Sequence, residues 1–202
     1  MDRWDVLDWR RRVADLYGRV RATADPADGH ALWVAGRDAL VRTHPASPFP
    51  PVERARFAGT RVAPYDPAYR FVVPVVDAPP ATRALPAGDD GQVALERVGR
   101  VALPGLGTLD VWWVGGYGGG LFLPVRDATS GAGTYGGGRY VLDTVKGADL
   151  GGDRAALVVD LNFAYQPSCA YHPSWVCPLP TAENTVAAAV PVGEQLPRSV
   201  AA

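Results

Sequence analysis

A chain of 202 residues is long enough for one substantial hydrophobic core, and 48% hydrophobic against 20% charged residues excludes wholesale disorder. A formal net charge of -1 excludes the clustered positive excess that nucleic-acid binding needs. No stretch approaches the roughly 20 apolar residues of a membrane span, and Met1-Asp2-Arg3-Trp4-Asp5 has no apolar run behind its basic residue, so a cytoplasmic protein with reduced cysteines is expected.

Two helices are predicted first. Asp2 can cap the first, and Val6, Trp9, Val13, Leu16, Tyr17 and Val20 recur on one face. The second has Asp25 as N-cap, Pro26 at the first helical position and Asp28 in the first turn, with Leu32, Trp33, Leu40 and Val41 on its apolar side. Pro45 stops it after His44. His30 and His44, on or beside these helices, are expected as surface or capping groups.

From Phe57 the pattern changes to short strands, predicted over 57–63, 69–76, 92–98, 109–114, 120–125, 139–142, 155–163 and 185–192. Turns such as Ala87-Gly88-Asp89-Asp90-Gly91 and Leu103-Pro104-Gly105 separate them. Many short strands without intervening helices predict a mainly β fold, an antiparallel barrel or sandwich with the two helices packed on it. One domain over 1–202 is expected, helical over 1–45 and β over 57–192.

The unusual polar chemistry lies between Gly118 and Asn184. One block, Phe122-Leu-Pro-Val-Arg-Asp-Ala-Thr-Ser-Gly131, leads to Thr134-Tyr-Gly-Gly-Gly-Arg-Tyr140. The other runs Asp160-Leu-Asn-Phe-Ala-Tyr-Gln-Pro-Ser-Cys-Ala-Tyr171 and then Cys177-Pro-Leu-Pro-Thr-Ala-Glu-Asn184. Together with His44-Pro45-Ala46-Ser47-Pro48, Arg56-Phe57-Ala58-Gly59 and Tyr65-Asp66-Pro67-Ala68-Tyr69-Arg70, these blocks resemble the signature of the bacterial family catalogued as domain of unknown function 1684 (DUF1684). The resemblance covers most of the chain and implies no particular reaction.

The residues themselves suggest several roles. Arg126 and Asp127 can fix a loop through backbone hydrogen bonds, or Arg126 and Arg139 can grip an anion, since guanidinium forks match carboxylate and phosphate geometry. Thr129, Ser130 and Thr134 add hydroxyls to the same loop. Asp160 and Asn162 alternate with Leu161 and Phe163, so a strand points both to one face, where Asp160 is either a general acid or base or half of an ion pair with Arg139 or Arg126. Glu183 is a second acid/base candidate, beside Asn184, and Tyr135 or Tyr165 can donate a hydrogen bond to a substrate. Tyr165, Tyr171 and Trp175 stand among stiffening prolines, as a pocket lid or as a clasp across the sheet.

Gly131-Ala-Gly-Thr-Tyr-Gly136 matches G-x-G-x-x-G but lacks the strand before and helix after that a dinucleotide site requires, and no cofactor is expected. Lys146, the sole lysine, is the single Schiff-base candidate. Cys169, His172 and Cys177 have metal-ligating types, yet a structural zinc site needs a fourth ligand. Relatives, as the resemblance implies, carry Asn or Ser at His172. The cysteines are therefore expected to pack as free thiols, with a disulfide and a Cys169 nucleophile as alternatives. The expected function is an enzyme acting on a small, anionic organic molecule by acid/base chemistry in a β-lined pocket, or a ligand-binding protein sharing that pocket. The expected partner is a small molecule, with neither nucleic acid nor membrane, and a homodimer stays open.

Overall fold

The computed structural model describes residues 2–88 and 91–197; Asp89 and Asp90 of the predicted turn lie outside the described residues. Helix α1 (Arg3–Ala22) starts where the Asp2 carboxylate accepts from the Trp4 amide at 3.3 Å. Helix α2 (Pro26–Thr43) starts on Asp25, whose carboxylate accepts from Ala27 and Asp28, and ends at His44. Both caps satisfy amides that a helix start leaves without intrahelical partners. The two helices cross closely because Gly36 has no side chain: a Cβ there would stand 2.6 Å from Leu16 Cδ1. Trp33 of α2 then donates from its indole to the Tyr17 hydroxyl of α1 at 3.1 Å. A one-turn helix α3 (Pro51–Arg54) follows.

Seven strands form two antiparallel sheets among the described residues. Strands β1 (Arg70–Val73) and β7 (Leu157–Asp160) pair with Arg70 opposite Asp160. Strands β2 (Thr82–Pro86), β3 (Gln92–Leu103), β4 (Gly107–Val114), β5 (Gly120–Val125) and β6 (Arg139–Asp143) make a five-stranded meander in chain order. Its edges β2 and β6 do not pair with each other, so the sheet is open and the expected barrel does not close. With three helices beside these sheets, the fold is mixed rather than mainly β. Trp33, Val101, Leu109, Val111, Leu123, Val141, Val159 and Phe163 belong to one continuous core between sheet and helices. No helix of the described residues is long and apolar enough to cross a membrane.

Three departures from the sequence pattern have local causes. Residues 57–63 form no strand, only a bridge from Val62 to Glu194, because the Asp38 carboxylate takes the Thr60 amide at 2.9 Å and its hydroxyl at 2.7 Å. Residues 185–192 also form no strand. Side chains hold them instead: Asp127 accepts from the Val190 amide, and Arg139 donates to the Val190 and Val192 carbonyls. Strand β2 was absent from the periodicity because it is short, follows Pro79-Pro80 and ends on Pro86, a residue tolerated at a sheet edge.

Candidate functional site

Most of the signature residues build architecture. Arg139 and Asp127 form an ion pair of 2.9 Å with both side chains fully buried. The same guanidinium donates to the carbonyls of Val190, Val192 and Glu194, so its fork holds the C-terminal segment rather than an anion. Asp127 also accepts from the Thr129 amide (2.8 Å) and hydroxyl (2.6 Å), and Ser130 Oγ accepts from the Asp127 amide. The 127–134 loop is thus closed on itself. Arg126 stands exposed on the other side of the backbone, and its own amide donates to the Asn184 carbonyl. Asn184 is buried: it donates to the carbonyls of Asp110 and Pro124, both at 2.9 Å, and accepts from the Trp112 indole at 2.6 Å.

The two acid/base candidates are likewise engaged, each with a different arginine. Strand β7 ends on Asp160, whose carboxylate caps the 3-10 turn Leu161–Phe163. It accepts from the Asn162 amide and side chain and from the Tyr65 hydroxyl at 3.3 Å, with Arg70 at 3.7 Å. Burial raises its pKa while these donors oppose the rise. Asn162 is on a turn, not on an alternating strand, and clamps both backbone groups of Asp66 at 2.9 Å. Glu183 pairs with Arg83, with Arg97 at 3.9 Å. The nearby Thr181 hydroxyl and the Arg83 guanidinium hold it down to about 2. Arg126, Arg139, Asp160 and Glu183 therefore do not converge on one cavity.

A different set of residues does surround a cavity, of about 110 Å³, between the helices and the 161–177 segment. Each helix supplies a stripe at i, i+4, i+7 and i+8: Trp9, Val13, Leu16 and Tyr17 from α1, and Trp33, Arg37, Leu40 and Val41 from α2. Tyr140 of β6, Tyr165 and Tyr171 complete aromatic walls, and Lys146 and Cys177 reach the rim. Arg37 is the charged residue of its stripe. Its guanidinium carbon lies 5.3 Å from the Tyr165 ring centroid, 5.8 Å from Trp33 and 5.9 Å from Tyr171. Nη2 donates to the Tyr171 hydroxyl at 2.7 Å and pairs with Glu194 at 3.0 Å. Burial works against this charge, but Glu194 and Tyr171 together more than offset it, so Arg37 remains a guanidinium. Its Nη1 is buried with no hydrogen-bond partner among the described residues.

Lys146 is on the turn after β6, placed against α1 by Gly147, whose φ of +88° and whose missing Cβ (2.8 Å from the Ala14 amide) both require glycine. Asp143, 3.1 Å away, raises its pKa. It is thus held as an ammonium, the form unsuited to a Schiff base. The hydroxyl of Tyr165 makes no hydrogen bond among the described residues, and Tyr171 donates to Glu194 as it accepts from Arg37. Trp175 instead donates to the Pro48 carbonyl at 3.0 Å, so the proline-rich segment provides both a pocket wall and a clasp.

Cys169 and Cys177 are free thiols, each half-buried. The Cys169 amide donates to Cys177 Sγ at 3.4 Å, and Tyr135 donates to Cys169 Sγ at 3.6 Å. His172 turns away to Ser174, with its Nδ1 at 2.7 Å from the hydroxyl. No group of three or more His, Cys, Asp or Glu side chains among the described residues is spaced to hold a metal ion. His44 caps the end of α2 as expected, though its side chain is buried against Asp8 at 3.0 Å, whereas His30 is neither a surface nor a capping group but is buried against the Asn162 carbonyl at 3.0 Å.

Sequence reasoning missed Arg37 and Glu194. A charge inside a helical apolar stripe was a legible signal for Arg37; Glu194, just past the last predicted strand, gave none. Among curated proteins none matches this chain. Among solved structures, an uncharacterized protein of Haloarcula marismortui determined by solution NMR is similar, with 31% identity and a TM-score of 0.60 over 82% of this chain and 91% of that one. The family model described as "Protein of unknown function (DUF1684)" matches residues 55–195. The chain belongs to the DUF1684 family.

Proposed function

We propose that this protein binds a small anionic organic molecule in the aromatic cavity between α1, α2 and the 161–177 segment. The observation that carries the reading is Arg37, a cavity-lining cation among aromatic rings whose buried Nη1 has no hydrogen-bond partner among the described residues. An unmet buried donor costs about 1–3 kcal/mol, more when charged, and an oxyanion meets it with a charge-assisted hydrogen bond. The volume sets the scale: a cavity of about 150 Å³ holds a benzene ring, so this smaller one, of about 110 Å³, takes a short chain bearing one carboxylate or similar group. Lys146 at the rim and the open hydroxyl of Tyr165 supply further polar contacts. A cytoplasmic setting suits two cysteines left as thiols.

Catalysis on that molecule is the second reading. Asp160 and Glu183 are ion-paired elsewhere, so acid/base work would fall to Lys146, Tyr165 and Cys177. Native mass spectrometry of protein purified from its own cells tests the binding reading. The expected spectrum shows a retained small organic anion that is lost in Arg37→Gln. A bare chain, together with no thermal stabilisation by any of a panel of short-chain carboxylates, would overturn it.

A further inference from the structure

We propose that Cys169 and Cys177 form a two-thiol redox centre at the pocket rim, in which Cys177 is the sulfur oxidised by a hydroperoxide and Cys169 the thiol that closes the disulfide. The pairing is visible in the backbone. Cys169 sits on the 3-10 turn Ser168–Ala170, and the chain returns eight residues later so that the Cys169 amide points at Cys177 Sγ from 3.4 Å. Pro167 and Pro178 stiffen both ends of this return. Buried structural cysteines are inert, whereas these two are partly exposed and one lines a cavity.

Geometry assigns the roles: Cys177 lines the cavity and takes the Cys169 amide, whereas Cys169 lies outside the cavity lining and takes the Tyr135 hydroxyl. The neighbouring Cys169 thiol, the Cys169 amide that donates to Cys177 Sγ and the Lys146 ammonium hold the Cys177 pKa below the usual thiol range. The neighbouring Cys177 and burial raise the Cys169 pKa and keep it protonated, against the Tyr135 hydroxyl that donates to its sulfur. The remaining groups facing the pair are Tyr140 from β6, Asp143 behind Lys146, and Arg10 from α1, which repels Lys146. A thiolate beside a protonated thiol is the arrangement that two-step oxidation needs.

In the first step the Cys177 thiolate attacks the terminal oxygen of R–O–O–H. The S–O bond forms as the O–O bond breaks, and the pair leaves on RO⁻, which takes a proton from Lys146 or water. In the second, Cys169 attacks the sulfenic sulfur; the S–S bond forms, the S–O bond breaks, and hydroxide leaves with the Cys169 proton as water. Two thiols and one hydroperoxide give one disulfide, one alcohol and one water, and a dithiol reductant resets the pair. The step shares the cavity with the proposed ligand but uses none of the Arg37 donors.

The test treats the full chain with equimolar hydrogen peroxide at neutral pH, followed by thiol counting and intact mass. The wild type should lose both thiols and the mass of two hydrogens, about twofold faster than free cysteine, because a larger thiolate fraction is partly offset by weaker nucleophilicity. Cys169→Ser should stop at one added oxygen on Cys177, captured by dimedone, and Cys177→Ser should leave Cys169 reacting no faster than free cysteine. Peptide mapping of partly oxidised wild-type protein gives the same assignment should a variant not fold. Cys169→Ser, at a position outside the cavity lining, should lose the disulfide yet keep any anion retained in native mass spectra, which separates failure here from failure of the binding reading. Thiols that survive equimolar peroxide, a disulfide between chains, or oxidation of Cys169 first would each overturn the proposal.

Discussion

Arg37 on α2 and Glu194, past the last strand, face each other at 3.0 Å with 13% and 1% of their side chains exposed. The same carboxylate accepts from the Gln166 amide and the Tyr171 hydroxyl, so one buried anion joins helix, pocket wall and C-terminal segment. Glu194→Gln leaves the guanidinium charge without its counterion. Breaking a buried pair in this way costs about 3–5 kcal/mol, to be read as a lower urea midpoint.

The adjacent signature residues Arg126 and Asp127 should behave oppositely. Asp127→Ala strands the buried Arg139 charge and frees the Thr129 and Val190 amides, for a loss of about 3–5 kcal/mol. Arg126→Ala removes an exposed side chain and should stay within about 0.5 kcal/mol of wild type. Equal losses in urea unfolding would contradict the assignment of Asp127 alone to architecture.

Asn184→Leu tests the hydrogen-bond hub between β4 and β5. It strands the Trp112 indole N–H and the carbonyls of Asp110 and Pro124, each buried group costing about 1–3 kcal/mol. The variant should unfold at markedly lower denaturant, with its Trp112 indole resonance shifted.

Glu183 and Asp160 should titrate on opposite sides of the ordinary carboxylate range. The folded pKa of Glu183, about 2, lies below the roughly 4.3 of an unfolded chain, so its stabilisation is complete above that value and lost as pH falls toward 2. Asp160 is raised by burial, so its contribution is present below about 3.9 and lost as pH rises through the folded value. Carboxyl carbon chemical shifts followed by NMR check both directions. Glu183→Gln should flatten the acid limb of stability against pH, and Asp160→Asn the limb above it.

The helices were legible because capping and periodicity are local: Asp2, Asp25, Pro26 and His44 act within a turn of where they stand. Strands were legible where the ladder itself takes the backbone groups, as in β5 and β6. They were misread where side chains take those groups instead, as Asp38 does for Thr60 and Arg139 does for the 190–194 carbonyls. The signature pointed to polar residues that matter, but most serve long-range architecture. No spacing rule shows that Asp160 meets Arg70, or that Arg37 meets Glu194; these pairs exist only after the chain folds. Tyr165, Tyr171 and Cys177 are the members of the predicted set that line the cavity.

The most direct test of the account is a titration of indole-labelled protein with butyrate, a short-chain carboxylate, followed by NMR. The prediction is saturable shifts at Trp9 and Trp33, weakened at least tenfold, or about 1.4 kcal/mol, by Arg37→Gln. Shifts confined to the exposed Trp4 and Trp113, or the same affinity with and without Arg37, would contradict it.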